Sequence, residues 1–173
     1  MKTSKVPKTI ECKGSGFNLE RIQVGLTWSK NPATVFLKPI RKLRGNAPMT
    51  YDLDLIACLL DDKGKIANLG HTVQKNNRPA PLVNSDVIYF NNLSLPNRSV
   101  IHSGDNRTGE RKVDDEVITV FPGKLASRFR RIVFLALLFD AQSKSLDFGK
   151  IGGAKIALRD GKNRVITSLN LSN

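Results

Sequence analysis

Apolar residues in this chain recur at every second position, and that period points to strands rather than helices. Ile22, Val24, Leu26 and Trp28 alternate with polar or small residues, as a half-buried strand requires. Leu53 to Leu60 is nearly continuous apolar sequence that meets Asp61-Asp62-Lys63-Gly64, a turn leading towards Ile66, so a hairpin is expected there. Further strands are expected at Asp86 to Asn91, Val117 to Phe121, Arg131 to Phe139 and Ala154 to Arg159. Asp160-Gly161 then permits a tight turn, and Val165 to Leu171 can return antiparallel. No long helical period is present, and Lys124 to Phe129 has room for one short turn. Asn31 to Thr50 and Gly70 to Ser85 read as irregular, exposed loops. The expected fold is an all-β, two-sheet antiparallel β-sandwich with long loops and at most short helical turns, forming a single domain over residues 1–173.

At 173 residues and 40% hydrophobic content the chain can bury one real core. Its longest apolar run, Ile132 to Phe139, suits a buried strand and falls far short of the roughly eighteen residues that would cross a bilayer. The Lys-bearing N-terminus is not followed by an apolar signal-peptide core, so the expected location is cytoplasmic, with room for a peripheral position at the inner membrane face. Cys12 and Cys58 are too few for a disulfide framework and lack metal-ligand spacing, in keeping with a reducing compartment.

The charges are unevenly spread. The net charge is +13, yet five of the fifteen acidic residues fall within residues 104–116 and two more form Asp52-Leu53-Asp54. In a strand, residues two apart share a face, so Asp52 and Asp54 point the same way; Ile56, Cys58 and Leu60 follow on that face and place the pair at a rim where the core ends. Gly104 and Gly109 permit sharp turns, Asp105, Asn106 and Thr108 offer oxygens, and Asp114-Asp115-Glu116 adds three carboxylates before a strand. Asn91 and Asn92 could add carbonyl oxygens or simply form a turn. Oxygen donors without a His or Cys cluster favour Ca²⁺ over zinc. The pattern is not an EF-hand, since Arg107 and Gly109 stand where that loop needs oxygen ligands.

Gly-Asp-Asn-Arg-Thr-Gly-Glu followed by Asp-Asp-Glu, preceded by Asp-Leu-Asp, Tyr-Phe-Asn-Asn-Leu and Val-Gly-Leu-Thr-Trp, resembles the TerD family of tellurium-resistance and stress proteins, in the same order along the chain. His102, Phe148-Gly149 and the stretch from Lys13 to Leu19 resemble family positions as well. The resemblance implies a calcium-binding β-sandwich from a bacterial resistance system, with Asp52, Asp54, Asn91, Asp105, Asn106, Asp114, Asp115 and Glu116 as metal ligands and other stress-resistance proteins as partners. Arg111-Lys112-Val113 stands where the family usually has Gly-Asp-Gly, which removes a carboxylate, adds two cations and should weaken calcium binding. The segment between Trp28 and Tyr51 is longer and more basic than the family's. Family members also generally continue past the position of Leu171 with further strands, so a trimmed sandwich, or one piece of a longer protein, is expected to leave a sheet edge open to another chain.

Two basic clusters accompany the acids: Lys38, Arg41, Lys42 and Arg44, and Arg128, Arg130 and Arg131. They lack interleaved aromatics for base stacking, and no helix-turn-helix or finger pattern is present, so attraction to an anionic membrane or nucleic acid would be general and not sequence-specific. His71 and His102 have no nucleophile in a recognisable local motif. The leading expectation is therefore a non-catalytic, Ca²⁺-dependent binding protein of a tellurite and stress response. The alternatives are a basic interaction module with weak or no metal binding that holds an acidic protein, nucleic acid or anionic membrane, and a metal-dependent phosphoester hydrolase.

Overall fold

The computed structural model describes residues 16–29, 51–72, 82–107, 109, 113–142 and 146–172. Among the described residues ten strands follow in order: β1 (Ile22–Ser29), β2 (Leu53–Leu60), β3 (His71–Thr72), β4 (Leu82–Val83), β5 (Val87–Ile88), β6 (Val100–His102), β7 (Glu116–Val120), β8 (Arg131–Leu138), β9 (Gly152–Arg159) and β10 (Val165–Asn170). Among the described residues the helical content is two 3₁₀ turns, Pro122–Lys124 and Phe148–Lys150. The strands form a five-stranded sheet in the order β10-β9-β1-β7-β6, a three-stranded sheet β5-β2-β8 and a small β3-β4 pair, with every pairing antiparallel. This is the all-β sandwich that the period-two patterning predicts.

Alternation sets which residues meet between the two larger sheets. Val24, Leu26 and Trp28 of β1, with Val100, Ile118 and Val120, are buried from one side; Leu53, Leu55, Ala57 and Leu59 of β2, with Ile88, are buried from the other. Burial of each large aliphatic side chain contributes about 1.5–3 kcal/mol, and that shared core holds the sheets together.

Several expectations need correction. The core face of β2 carries the odd-numbered residues, so Ile56, Cys58 and Leu60 lie half-buried on the outer face that they share with Asp54. Asp61 to Gly64 does form a turn, with Asp61 Oδ1 accepting from Lys63 N at 2.9 Å and Lys65 N at 2.8 Å, but no hairpin strand follows. Strand β2 pairs instead with β5 and β8, and its eight residues, all apolar but Asp54, align with the eight of β8, all apolar but Arg131. The loop expected from Gly70 to Ser85 contains β3 and β4, and β6 is a further strand too short for periodicity to reveal. The strand expected at Asp86 to Asn91 stops at Ile88, where Tyr89 and Asn92 close a turn through two backbone hydrogen bonds. Residues 31–50 lie outside the described residues.

Candidate metal centre

Two segments supply the acids. Asp52 and Asp54 stand at the start of β2, and Asp105 sits on the loop that leaves β6 and returns at β7. The loop turns sharply at Gly104, whose φ of 97° is readily adopted only by glycine. Gly104 N donates to His102 Nδ1 at 3.0 Å, which puts the ring proton on Nε2, 3.1 Å from Leu55 O. Glu116, from the opposite sheet, accepts from Leu55 N at 2.7 Å through Oε2 and from Asn106 N at 3.1 Å through Oε1. Leu59 N donates to Asp86 O on the β5 side of β2, and Leu55, four residues earlier, presents its groups to the same side. Strand β5 ends before it reaches Leu55, so Glu116 and His102 act there in place of a neighbouring strand.

The same scaffold continues beneath the loop. Asp115 Oδ2 accepts from Trp28 N at 3.0 Å, and Asn106 Nδ2 donates to Asp115 Oδ1 at 3.2 Å. Trp28 Nε1 donates to Tyr51 O at 3.2 Å, just ahead of Asp52. Gly109 has a φ of 60° and lies so close to the indole that a Cβ there would stand 2.5 Å from Trp28 Nε1.

Above this scaffold, carboxylate oxygens of Asp52, Asp54 and Asp105 all lie within 4.8 Å of one another. Asp54 is only 4% exposed. Burial, followed by repulsion from Asp52, Glu116 and Asp105, pushes its pKa from the ordinary 3.8 up to about 6. Among the described residues a cation in contact with the cluster is Arg107, whose Nε donates to Asp105 Oδ2 at 2.8 Å while most of its side chain stays in solvent. That hydrogen bond and the nearby negative charges raise the guanidinium pKa. Among the described residues, three crowded acids and one exposed cation meet in this small volume.

Of the eight predicted ligands, the structure brings Asp52, Asp54 and Asp105 together and sets Asn106, Asp115 and Glu116 under them in the hydrogen-bond scaffold. Asp114 points elsewhere: Arg159 Nη1 donates to its Oδ2 at 2.6 Å and Nη2 to its Oδ1 at 3.2 Å, over Gly25, where an added Cβ would strike the carboxylate. Asn91 is exposed in the turn after β5. Thr108, Arg111, Lys112 and the cluster of Lys38, Arg41, Lys42 and Arg44 lie outside the described residues. Sequence reading missed Arg107 as a counter-ion, although its spacing of two from Asp105 was a usable signal. It also missed Arg159, which is 45 residues from Asp114 and gives no local sign. Arg128 proves to be a structural partner, donating to both oxygens of Asp86 at 2.7 and 2.6 Å and lying over the Phe129 ring.

Fold and cluster together define an antiparallel β-sandwich that carries an acidic loop site at one end of β2. The TerD domain profile matches residues 8–173, and the chain belongs to the TerD family. It is 34% identical over 164 residues to the tellurium resistance protein TerX of Serratia marcescens, covering 94% of this chain and 74% of that one. It is 29% identical over 140 residues to general stress protein 16U of Bacillus subtilis (strain 168), covering 81% of this chain and 58% of that relative. The crystal structure of a homologue of telluride resistance protein (TerD) from Streptomyces coelicolor A3(2) superposes with a TM-score of 0.59 at 17% identity, over 88% of this chain and 72% of the other. The sandwich fold is thus shared despite low identity. Among the described residues no helix is long and apolar enough to cross a membrane.

Proposed function

We propose that this chain is a non-catalytic, calcium-binding member of a tellurite and stress resistance system, acting in the cytoplasm through ion-dependent association with other resistance proteins. The observation that carries this reading is the mutual approach of Asp52, Asp54 and Asp105 within 4.8 Å. Ca–O distances of roughly 2.3–2.6 Å allow two oxygens on one ion to lie up to about 5 Å apart, so the spacing fits a shared hard cation. The donor set, oxygen without sulfur or imidazole, fits the same ion. Asp52, Asp54 and Asp105 would hold it, while Asn106, Asp115 and Glu116 keep the loop in place from below. Asp114 and Asn91 would join only by leaving their present positions. Calcium supplies positive charge that relieves the repulsion on Asp54, and the loop carrying Asp105 becomes anchored to β2. Ion occupancy would then be coupled to the shape of the surface offered to a partner.

Titration of metal-free protein with calcium, followed by calorimetry and by thermal denaturation, tests the reading. Heat uptake or release and a raised unfolding midpoint are expected, and both should be lost in Asp54→Asn. No heat and no stabilisation at millimolar calcium would sink it.

The Arg107 to Asp105 ion pair favours a second reading, in which the cluster is neutralised from within and the basic surface holds an anionic membrane, nucleic acid or acidic protein. Salt-sensitive binding to anionic liposomes that is unchanged by chelator would mark that case. Chelator-sensitive turnover of phosphate esters would instead point to a hydrolase.

A further inference from the structure

Strand β8 has surroundings that its sequence does not match. Ile132 to Phe139 is unbroken apolar sequence, as expected of a strand covered on both faces. Yet β8 lies at the edge of the three-stranded sheet, and among the described residues no strand pairs with its far side. Leu135, Leu137 and Phe139 on its outer face are 44%, 49% and 50% exposed. Half-buried Ile56 and Cys58 of β2, paired with Leu135 and Val133, extend the apolar patch inward from the edge.

The other free edges are protected as edges usually are. β6 has three residues, with its outer side taken up by Leu95 N on Val100 O and by His102 N on Leu93 O, and β5 has two residues. β10 carries Thr167, Ser168 and Asn170, and a register shift between Val165 and Thr167 interrupts its ladder. β8 has eight residues in unbroken register with β2, with no proline, lysine or bulge along it.

We propose that β8 pairs antiparallel with β8 of a second copy, about a two-fold axis passing beside Leu135, so that two three-stranded sheets become one continuous sheet. The backbone register allows this. Phe139 N donates to Asp52 O, so the odd-numbered residues of β8 turn their peptide groups towards β2. The peptide groups of Ile132, Phe134, Ala136 and Leu138 therefore face the free edge. Antiparallel pairing centred on Leu135 sets Ile132 opposite Leu138 and Phe134 opposite Ala136, matching edge-facing groups with edge-facing groups. On the outer face it sets Val133 opposite Leu137 and Leu135 opposite its own copy.

The charges select a second copy as the occupant. Exposed Arg130 and Arg131 stand at one end of the apolar run and exposed Asp140 at the other. A strand with cations at its start and an acid in the turn after it complements itself when antiparallel, bringing the Arg130–Arg131 end of each copy towards the Asp140 end of the other.

Sedimentation across the micromolar range tests the pairing, with a mass of two copies expected at the upper end. Leu135→Lys should return the mass to one copy while keeping the β circular dichroism of the parent, since this side chain lies outside the core. The register is read by cross-linking in a chain carrying Cys12→Ser and Cys58→Ser. Leu135→Cys places two thiols across a non-hydrogen-bonded pair, where Cα atoms stand about 4.5 Å apart, within disulfide reach. Mild oxidation should convert it to a covalent dimer, while Leu137→Cys, which faces Val133, stays uncrosslinked. A monomer at all concentrations, or equal cross-linking of the two variants, overturns the proposal. So does a monomer whose amides at Ile132, Phe134, Ala136 and Leu138 resist hydrogen exchange, because another part of the chain would then cover the edge.

Discussion

Asp160 and Asp54 are both buried carboxylates, 0% and 4% exposed, and they are held in opposite ways. Asp160 follows β9 and is surrounded by donors: Asn18 N at 3.1 Å, Lys162 N at 3.0 Å, Arg164 N at 2.8 Å and the Arg164 guanidinium Nε at 2.8 Å. Burial pushes its pKa up, but these donors outweigh burial and hold it at about 2. Asp54 is raised by the same burial and then raised further, to about 6, by Asp52, Glu116 and Asp105. Desolvation has one sign in both places, so the neighbours decide the outcome. One carboxylate is a joint that ties the β9–β10 turn to Asn18; the other belongs to a cluster of mutually repelling acids. Glu116 resembles Asp160 in being held by backbone donors, Leu55 N from the facing sheet and Asn106 N from the loop ahead of β7.

Removing negative charge should therefore change stability with opposite signs in the two regions. The largest effect is expected at the joints. Glu116→Ala leaves the amides of Leu55 and Asn106 without their acceptor in a buried setting and opens a space between the sheets, a loss of about 2–4 kcal/mol. Asp160→Ala shifts stability in the same direction. Urea denaturation of the metal-free proteins measures both. A loss below about 1 kcal/mol for Glu116→Ala would show that it does not bridge the sheets in solution.

At the cluster the expected change is smaller and reversed. Asp54→Asn removes a charge that three other acids repel, so metal-free protein should gain on the order of 1–2 kcal/mol, after allowance for solvent screening. The pH dependence follows the same division. With its pKa raised to about 6, Asp54 stabilises the fold in its protonated form; that contribution is full below 3.8 and lost as pH rises through 6. With its pKa lowered to about 2, Asp160 contributes above 3.8 and the contribution is lost as pH falls through 2. Metal-free protein should thus lose stability between about pH 4 and 6 from the cluster, and Asp54→Asn should flatten that decline. A decline that persists unchanged in Asp54→Asn would assign it to another group.

The strands were legible because each rests on local alternation: Ile22 to Trp28 shows its buried face residue by residue. Strand β6 was not, since Val100 to His102 is shorter than any usable period and exists because β7 pairs with it. The buried face of β2 was misread because both rows are apolar after Asp54, and only the facing sheet decides which row enters the core. For the site, composition located the acids but could not sort them. Asp114, Asp115 and Glu116 are consecutive, yet one meets Arg159, one the Trp28 amide and one the Leu55 amide. Strand alternation sends neighbours to opposite faces, and partners tens of residues away then set each carboxylate's role.

The smallest expected effect is at Arg107, which separates a cluster awaiting an external ion from one already balanced by its own chain. The ion pair with Asp105 is short, but the Arg107 side chain is 73% exposed, so water and salt compete for it. An incoming cation must displace or share that contact. Arg107→Ala should accordingly raise calcium affinity by about two- to fivefold, the range open to an exposed ion pair. The gain should shrink as ionic strength rises, because screening already weakens the pair in the parent protein. Calorimetric titration of both proteins at low and high salt measures it. Equal affinities at low salt would show that Arg107 does not compete for the carboxylates; a gain far above tenfold would show that it is the chief counter-ion of the site, which would place the cluster closer to Asp160 in kind than to an ion receptor.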